Sequence, residues 1–238
     1  MLASTSLETS SQLRAVVFDM DGVLVDSHPA HRLAWREFLR RLGKDVTESE
    51  LDFVLDGRKR RDILLHFLGP LTDAQLEEYG KAKDELFWLA AASIAPVPGV
   101  FEFIECIRRA GISVAVATSA GASRTRSMLK RLGIFAHFAA VVTGEEVGAG
   151  KPNPAIYLLA CQRIGCPPNT TVAVEDAAAG VRAAKEAGLR CVGITRCGSE
   201  EKLTAAGADF VLPDFVNLTL EKFHSLVGMR PQRSAPGI

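Results

Sequence analysis

Six short apolar runs constrain this chain more than any other feature, at 15–18, 112–117, 138–142, 172–174, 191–194 and 210–212. None alternates with polar residues. A strand apolar on both sides must be covered on both faces, which demands a parallel sheet sandwiched by helices. Turn signals and helical patterns follow the runs. Segments 101–110, 123–132, 155–164 and 177–187 have the length and spacing of crossover helices. The expected fold class is α/β, a doubly wound, Rossmann-like parallel sheet.

One interval breaks this rhythm. Between the first and second strands lies a stretch several times longer than a single crossover, with helical apolar spacing throughout: Trp35, Phe38, Leu39 and Leu42, then Ile63, Leu64, Phe67 and Leu68, then Leu76, Tyr79, Leu86 and Leu89. This predicts a helical cap over residues 28–96, returning through the Pro-rich APVPG. The Rossmann-like core then comprises 13–27 and 97–228, with flexible tails at 1–12 and 229–238. Because doubly wound sheets bind ligands at the carboxyl ends of their strands, such an insertion would cover the site.

Composition narrows the partners. Lys plus Arg and Asp plus Glu each number 28 in 238 residues, so the chain is neutral. It has no long-range field to gather nucleic acid or an anionic membrane, and any anion it binds must be held locally. No apolar run approaches the ~18 residues of a membrane span. The opening MLASTSLETSSQ lacks the basic region and apolar core of a secretory signal. Five cysteines without a CxxC fit reduced thiols in a cytoplasmic protein. The soluble, neutral composition fits a monomer.

The strand ends carry the chemistry. The first reads AVVFDMDG, placing Asp19 at the tip, Asp21 two residues on, and Gly22 in a tight turn. A later one reads TVAVEDAAAG and ends in Glu175 and Asp176, while AVATSAG offers Thr118 and Ser119. Lys151 follows GAG and precedes Pro152. If these are strand ends of one sheet, four carboxylates, two hydroxyls and an ammonium share an edge. Four carboxylates in one crevice cannot all ionise unaided. A hard divalent cation resolves the conflict, and all-oxygen ligands favour Mg²⁺. With Lys151 the pocket can accept a phosphate, whose oxygens need that neutralisation. Asp19 is a candidate nucleophile and Asp21 a candidate general acid and base. Taken singly, a strand-end Asp is commonly a cap or turn residue; it is the ordered set that points to function. GEEVGAGK is not a nucleotide phosphate loop, since Pro152 stands where Ser or Thr is required.

The stretches FDMDGVLVDS, VATSA, GKPNPAIY and VEDAAAGVRAAKEAG together resemble the haloacid dehalogenase superfamily of phosphotransferases, across nearly all of 14–213. The size and place of the insertion are similar to the β-phosphoglucomutase-like subgroup with a small helical cap. That resemblance implies Asp19 as nucleophile and metal ligand, and Asp21 as acid/base residue lending its backbone carbonyl to the metal. It implies Thr118 and the Ser119 amide as phosphate contacts, Lys151 as charge neutraliser, and Glu175 with Asp176 completing the Mg²⁺ shell. In the cap it implies substrate contacts from His31, Arg60 and Lys83. Dehalogenases of the superfamily lack the second aspartate, so Asp21 argues against dehalogenation. Core packing for Trp35 and His31, and a solvated face for Arg58–Arg61, are the structural alternatives. His28, His66, His137 and His224 show no metal spacing and receive no role.

The function expected is Mg²⁺-dependent hydrolysis of a small phosphorylated metabolite, foremost a sugar phosphate, through an aspartyl-phosphate. The alternative is a β-phosphoglucomutase-type phosphomutase. Mutases hold a second phosphate with a Ser-Lys-Asn run after the motif hydroxyl, and here those places read Ala120-Gly121-Ala122. Ser123 and Arg124 follow at once and are possible substitutes. A phosphate-storing receiver domain, the non-enzymatic alternative, is about half this length and lacks a cap.

Overall fold

The computed structural model describes residues 12–196 and 199–229. Cys197 and nearly all of both expected tails lie outside them. Met229, placed in the expected C-terminal tail, is buried against the core.

Six parallel strands form one sheet in the order β3-β2-β1-β4-β5-β6: β1 (Ala15–Phe18), β2 (Ser113–Thr118), β3 (Ala140–Thr143), β4 (Thr171–Glu175), β5 (Arg190–Ile194) and β6 (Phe210–Leu212). The α/β doubly wound fold is as the apolar runs predicted. β1 pairs with β2 on one side and β4 on the other, with Phe18 level with Val116 and Val174. The winding reverses there, so the sheet's crevice opens at the carboxyl ends of β1 and β4.

Strand periodicity sorts the buried side chains into two cores. Val16, Phe18, Val114, Val116, Val172 and Val174 share a cluster with helices α5 (Val100–Arg109), α6 (Ala122–Arg131) and α10 (Leu220–Val227). The alternate positions Val17, Ala115, Ala117 and Ala173 pack with α7 (Ala155–Ile164), α8 (Ala178–Glu186) and α9 (Glu200–Ala205). Small residues on that second face leave room for Tyr157, which α7 buries completely. On the first face Phe103 stacks on Phe215 and meets Phe223 edge-on, with centroids 5.5 and 5.0 Å apart.

Four helices fill the interval between β1 and α5: α1 (His28–Arg41), α2 (Glu48–Val54), α3 (Arg60–Leu68) and α4 (Asp73–Ala90). Thr47 with Glu50 and Thr72 with Gln75 form capping boxes that start α2 and α4. Ala30, Ala34, Trp35, Phe38 and Leu39 give α1 a buried stripe at helical spacing, so Trp35 is chiefly core. The chain leaves and re-enters the sheet side by side: Asp26 N–H donates to Ala95 O at 2.9 Å, and Val97 N–H to Leu24 O at 3.1 Å. Among the described residues, no helix is long and apolar enough to cross a membrane.

Candidate active site

The carboxyl ends of the strands supply the site. Asp19 follows β1, and its N–H extends the ladder to Val174 O at 2.9 Å. Thr118 ends β2, Glu175 ends β4 and Asp176 comes next; Lys151 arrives from the loop between β3 and α7. Gly22 turns the chain at φ +79°, and a Cβ there would overlap the Asp176 carboxylate and lie 2.8 Å from His28 Nε2. Only glycine fits.

Carboxylate oxygens of Asp19, Glu175 and Asp176 lie within 4.8 Å of one another, all buried. Lys151 is their counter-ion. Its Nζ donates to Asp19 Oδ1 at 2.6 Å, Glu175 Oε1 at 2.5 Å and Ala117 O at 3.1 Å. Tyr157 donates its hydroxyl to the same Glu175 oxygen. Burial pushes Asp19 and Glu175 above the carboxylate range, with Lys151 opposing and the neighbouring acids adding to the rise. Burial alone would lower the Lys151 pKa, but Asp19 and Glu175 outweigh it and raise it. One cation among three acids leaves negative charge uncompensated. Asp176 Oδ2 is buried and accepts no well-aligned hydrogen bond, although His28 Nε2 lies 2.9 Å away. An orphaned hard oxygen beside two more carboxylates suits a small divalent cation with oxygen preference.

Asp21 stands apart from this cluster. Both its oxygens are bound by Arg124, Nη1 to Oδ1 at 2.9 Å and Nη2 to Oδ2 at 2.7 Å, while Ser27 Oγ donates to Oδ1 at 2.6 Å. Burial would raise its pKa, but Arg124 and then His31 override this and hold it well below the usual range. The two aspartates of one short motif therefore titrate in opposite directions.

His31 connects this group to α4: Nε2 lies 3.3 Å from Asp21 Oδ1, and Nδ1 is 3.1 Å from Lys83 Nζ. Burial, then Lys83, lowers the His31 pKa to about 3. Burial, then Arg124, lowers that of Lys83 to about 7. The imidazole is thus neutral, with Nδ1 placed to accept from Lys83.

The structure brings Asp19, Asp21, Thr118, Ser119, Lys151, Glu175 and Asp176 to one sheet edge, faced by His31 from α1 and Lys83 from α4, with two qualifications. Ser119 Oγ turns to the insertion and donates to Gly57 O at 2.6 Å. Arg60 lines the outer cavity, where Asp84 at 2.5 Å and Gly80 O at 3.3 Å hold its guanidinium. The cavity spans about 430 Å³, from Asp19 and Thr118 to Arg60 and Asp84. Three partners were not foreseen: Arg124 on Asp21, Tyr157 on Glu175, and His28 Nε2 at 2.9 Å from Asp176 Oδ2. Arg124 lies just inside α6, and only its closeness to the motif hydroxyl hinted at a role.

A doubly wound sheet with aspartates at the β1 tip, a buried lysine and a second acidic pair at the β4 tip is the arrangement of an α/β-fold hydrolase. Residues 13–188 match the haloacid dehalogenase-like hydrolase family, and the chain belongs to it. It is 33% identical to the phosphorylated carbohydrates phosphatase of Thermotoga maritima over 82% of this chain and 92% of that protein. To the beta-phosphoglucomutase of Bacillus subtilis it is 30% identical, over 89% and 94% of the two chains. A crystal structure of CbbY from Rhodobacter sphaeroides in complex with xylulose-(1,5)bisphosphate superposes with a TM-score of 0.78 at 31% identity, covering 89% of this chain and 99% of that one.

Proposed function

We propose that this enzyme is a Mg²⁺-dependent phosphohydrolase acting on a small sugar phosphate through an aspartyl-phosphate on Asp19. The observation that carries the reading is the opposed environment of Asp19 and Asp21. One faces the acidic cluster with Lys151 neutralising it; the other is held apart by hydrogen-bond donors. With a divalent cation on the cluster Asp19 would return to its ionised, nucleophilic form, while Asp21, held off the cluster, is left for proton transfer. Asp19 Oδ attacks phosphorus, the bond to the sugar oxygen breaks, and that oxygen takes the proton of Asp21. Water then attacks phosphorus, gives its proton to Asp21, and releases phosphate and Asp19. Thr118 and the Ser119 amide border the phosphoryl oxygens, and Lys151 offsets their charge. Asp19, Glu175 and Asp176 would hold Mg²⁺, with the Asp21 backbone carbonyl, and the cation would neutralise the transferring group.

With Arg124 in place, Asp21 is ionised and fitted for the water step. Donation in the first step requires Arg124 to be drawn away, and an anionic or hydroxyl-rich substrate end does this. Residues 28–96 serve as the cap, with His31, Arg60 and Lys83 facing that end. The relatives that act on phosphorylated carbohydrates and bind a sugar bisphosphate support this class. The described cysteines 106, 161, 166 and 191 are free thiols, in keeping with a cytoplasmic setting.

Hydrolysis is preferred to mutase chemistry on one feature. Ala120-Gly121-Ala122 offers no side-chain donor to clamp a second phosphate, and the Glu145 carboxylate beside Gly121 adds negative charge there. His31 with Lys83 remains compatible with a mutase. Phosphorus NMR decides: phosphate esters are screened with Mg²⁺, including β-glucose 1-phosphate with a trace of its 1,6-bisphosphate. Inorganic phosphate is expected as the main product. Glucose 6-phosphate accumulating faster would establish the mutase instead.

A further inference from the structure

The first turn of α1 touches both acidic motifs. Ser27 Oγ holds Asp21, His31 Nε2 approaches the same carboxylate, and between them His28 reaches past Gly22 to Asp176. His28 is buried, and its Nε2 lies 2.9 Å from Asp176 Oδ2. The space for this meeting exists because residue 22 has no side chain: a Cβ there would strike Asp176 Oδ2 and His28 Nε2 together. Glycine in the first motif, the aspartate of the last, and the first residue of α1 thus form one packed unit.

A carboxylate on a metal has two oxygens and several lone-pair directions, and it binds well only when its rotation is fixed. Among the described residues, Lys151 serves Asp19 and Glu175, Tyr157 serves Glu175, and the polar side-chain group beside Asp176 Oδ2 is His28. We infer that His28 is a positioning residue for Asp176: the buried imidazole, its Nε2 2.9 Å from Oδ2, restricts the rotation of the carboxylate so that a lone pair faces Asp19 and Glu175. The inference rests on reading those three acids as a divalent-cation site. Because His28 belongs to α1, it also makes cation affinity depend on the insertion being seated against the sheet.

The test is Mn²⁺ binding to the full chain, followed by the EPR signal of the unbound ion, with melting recorded in parallel. His28→Ala is expected to raise the Kd about tenfold or more, the usual loss for an outer-shell partner. His28→Gln, whose amide nitrogen can occupy the place of Nε2, is expected to recover most of that loss, with both variants melting near the parent. A merely structural role would lower the melting temperature in both and show no rescue. Electron spin-echo spectra of the unaltered protein guard against a variant that fails to fold. They should lack the coupling of a directly bound imidazole nitrogen. A Kd for His28→Ala within about twofold of the parent's overturns the inference, as does direct nitrogen coupling, while leaving the cation site standing. Failure of the unaltered chain to bind Mn²⁺ overturns both.

Discussion

Lys151→Met isolates the charge at the centre of the site, since methionine keeps most of the lysine stem. The lost ammonium makes bonds of 2.6 and 2.5 Å to Asp19 and Glu175, and its side chain is fully buried. Removing one partner of such a group strands the other charges in a low dielectric, at about 3–5 kcal/mol. For a chain of this size that corresponds to a melting temperature lower by about 6–20 °C. Urea unfolding at neutral pH without divalent cations measures it. The pH dependence has a definite sign. Without Lys151, Asp19 and Glu175, already raised, rise further, so the folded variant binds more protons than its unfolded chain. Its stability therefore increases on acidification, and the gap to the parent narrows toward about pH 5. Millimolar Mg²⁺ should narrow it too. A loss below about 1 kcal/mol at neutral pH, the scale of a surface pair, or a gap that widens with acid, would refute the account of Lys151 as the buried counter-ion.

Asp19→Asn should lower kcat by more than about a thousandfold while the protein stays folded; a larger residual kcat would sink the covalent route. Arg124→Ala frees Asp21 from its strongest counter-charge, so its carboxyl rises and activity falls off at a higher pH on the acid side. A kcat/KM profile with an unmoved acid limb would contradict this. Lys83→Met should flatten the pH dependence of stability. The folded ammonium titrates near 7 and the unfolded one near 10.5, so the parent's unfolded state holds more protons between these values and its stability rises with pH there. Equal slopes for parent and variant in urea titrations would rule it out.

What the sequence made legible follows from what a strand run carries with it. A solid apolar run identifies a covered strand, and the residue after it must sit at the sheet edge, so Asp19, Thr118, Glu175 and Asp176 could be placed from local information. Lys151 followed from its loop. The Arg124–Asp21 pair could not be read this way. It spans 103 positions and depends on β2 lying beside β1 and on which side of α6 faces the crevice, neither of which local pattern specifies. His28 has no ligand spacing along the chain, since its partner Asp176 lies just beyond β4. The breaks within the insertion were readable in principle. Thr47 and Glu50, and Thr72 and Gln75, have the capping-box spacing, but the continuing apolar periodicity masked them.

The side-by-side entry and exit at Leu24–Asp26 and Ala95–Val97 bears on how such a chain can vary. Seen from the sheet, everything between those two crossing points is a closed loop whose ends are already hydrogen-bonded to each other. Closure entropy grows only with the logarithm of loop length, about 0.6 kcal/mol per doubling. Adding or deleting a helix between these points leaves the pairing of β1 with β2 and β4 untouched. If the insertion is the proposed cap, its length, and with it the range of molecules admitted, can change at a closure cost of only this size.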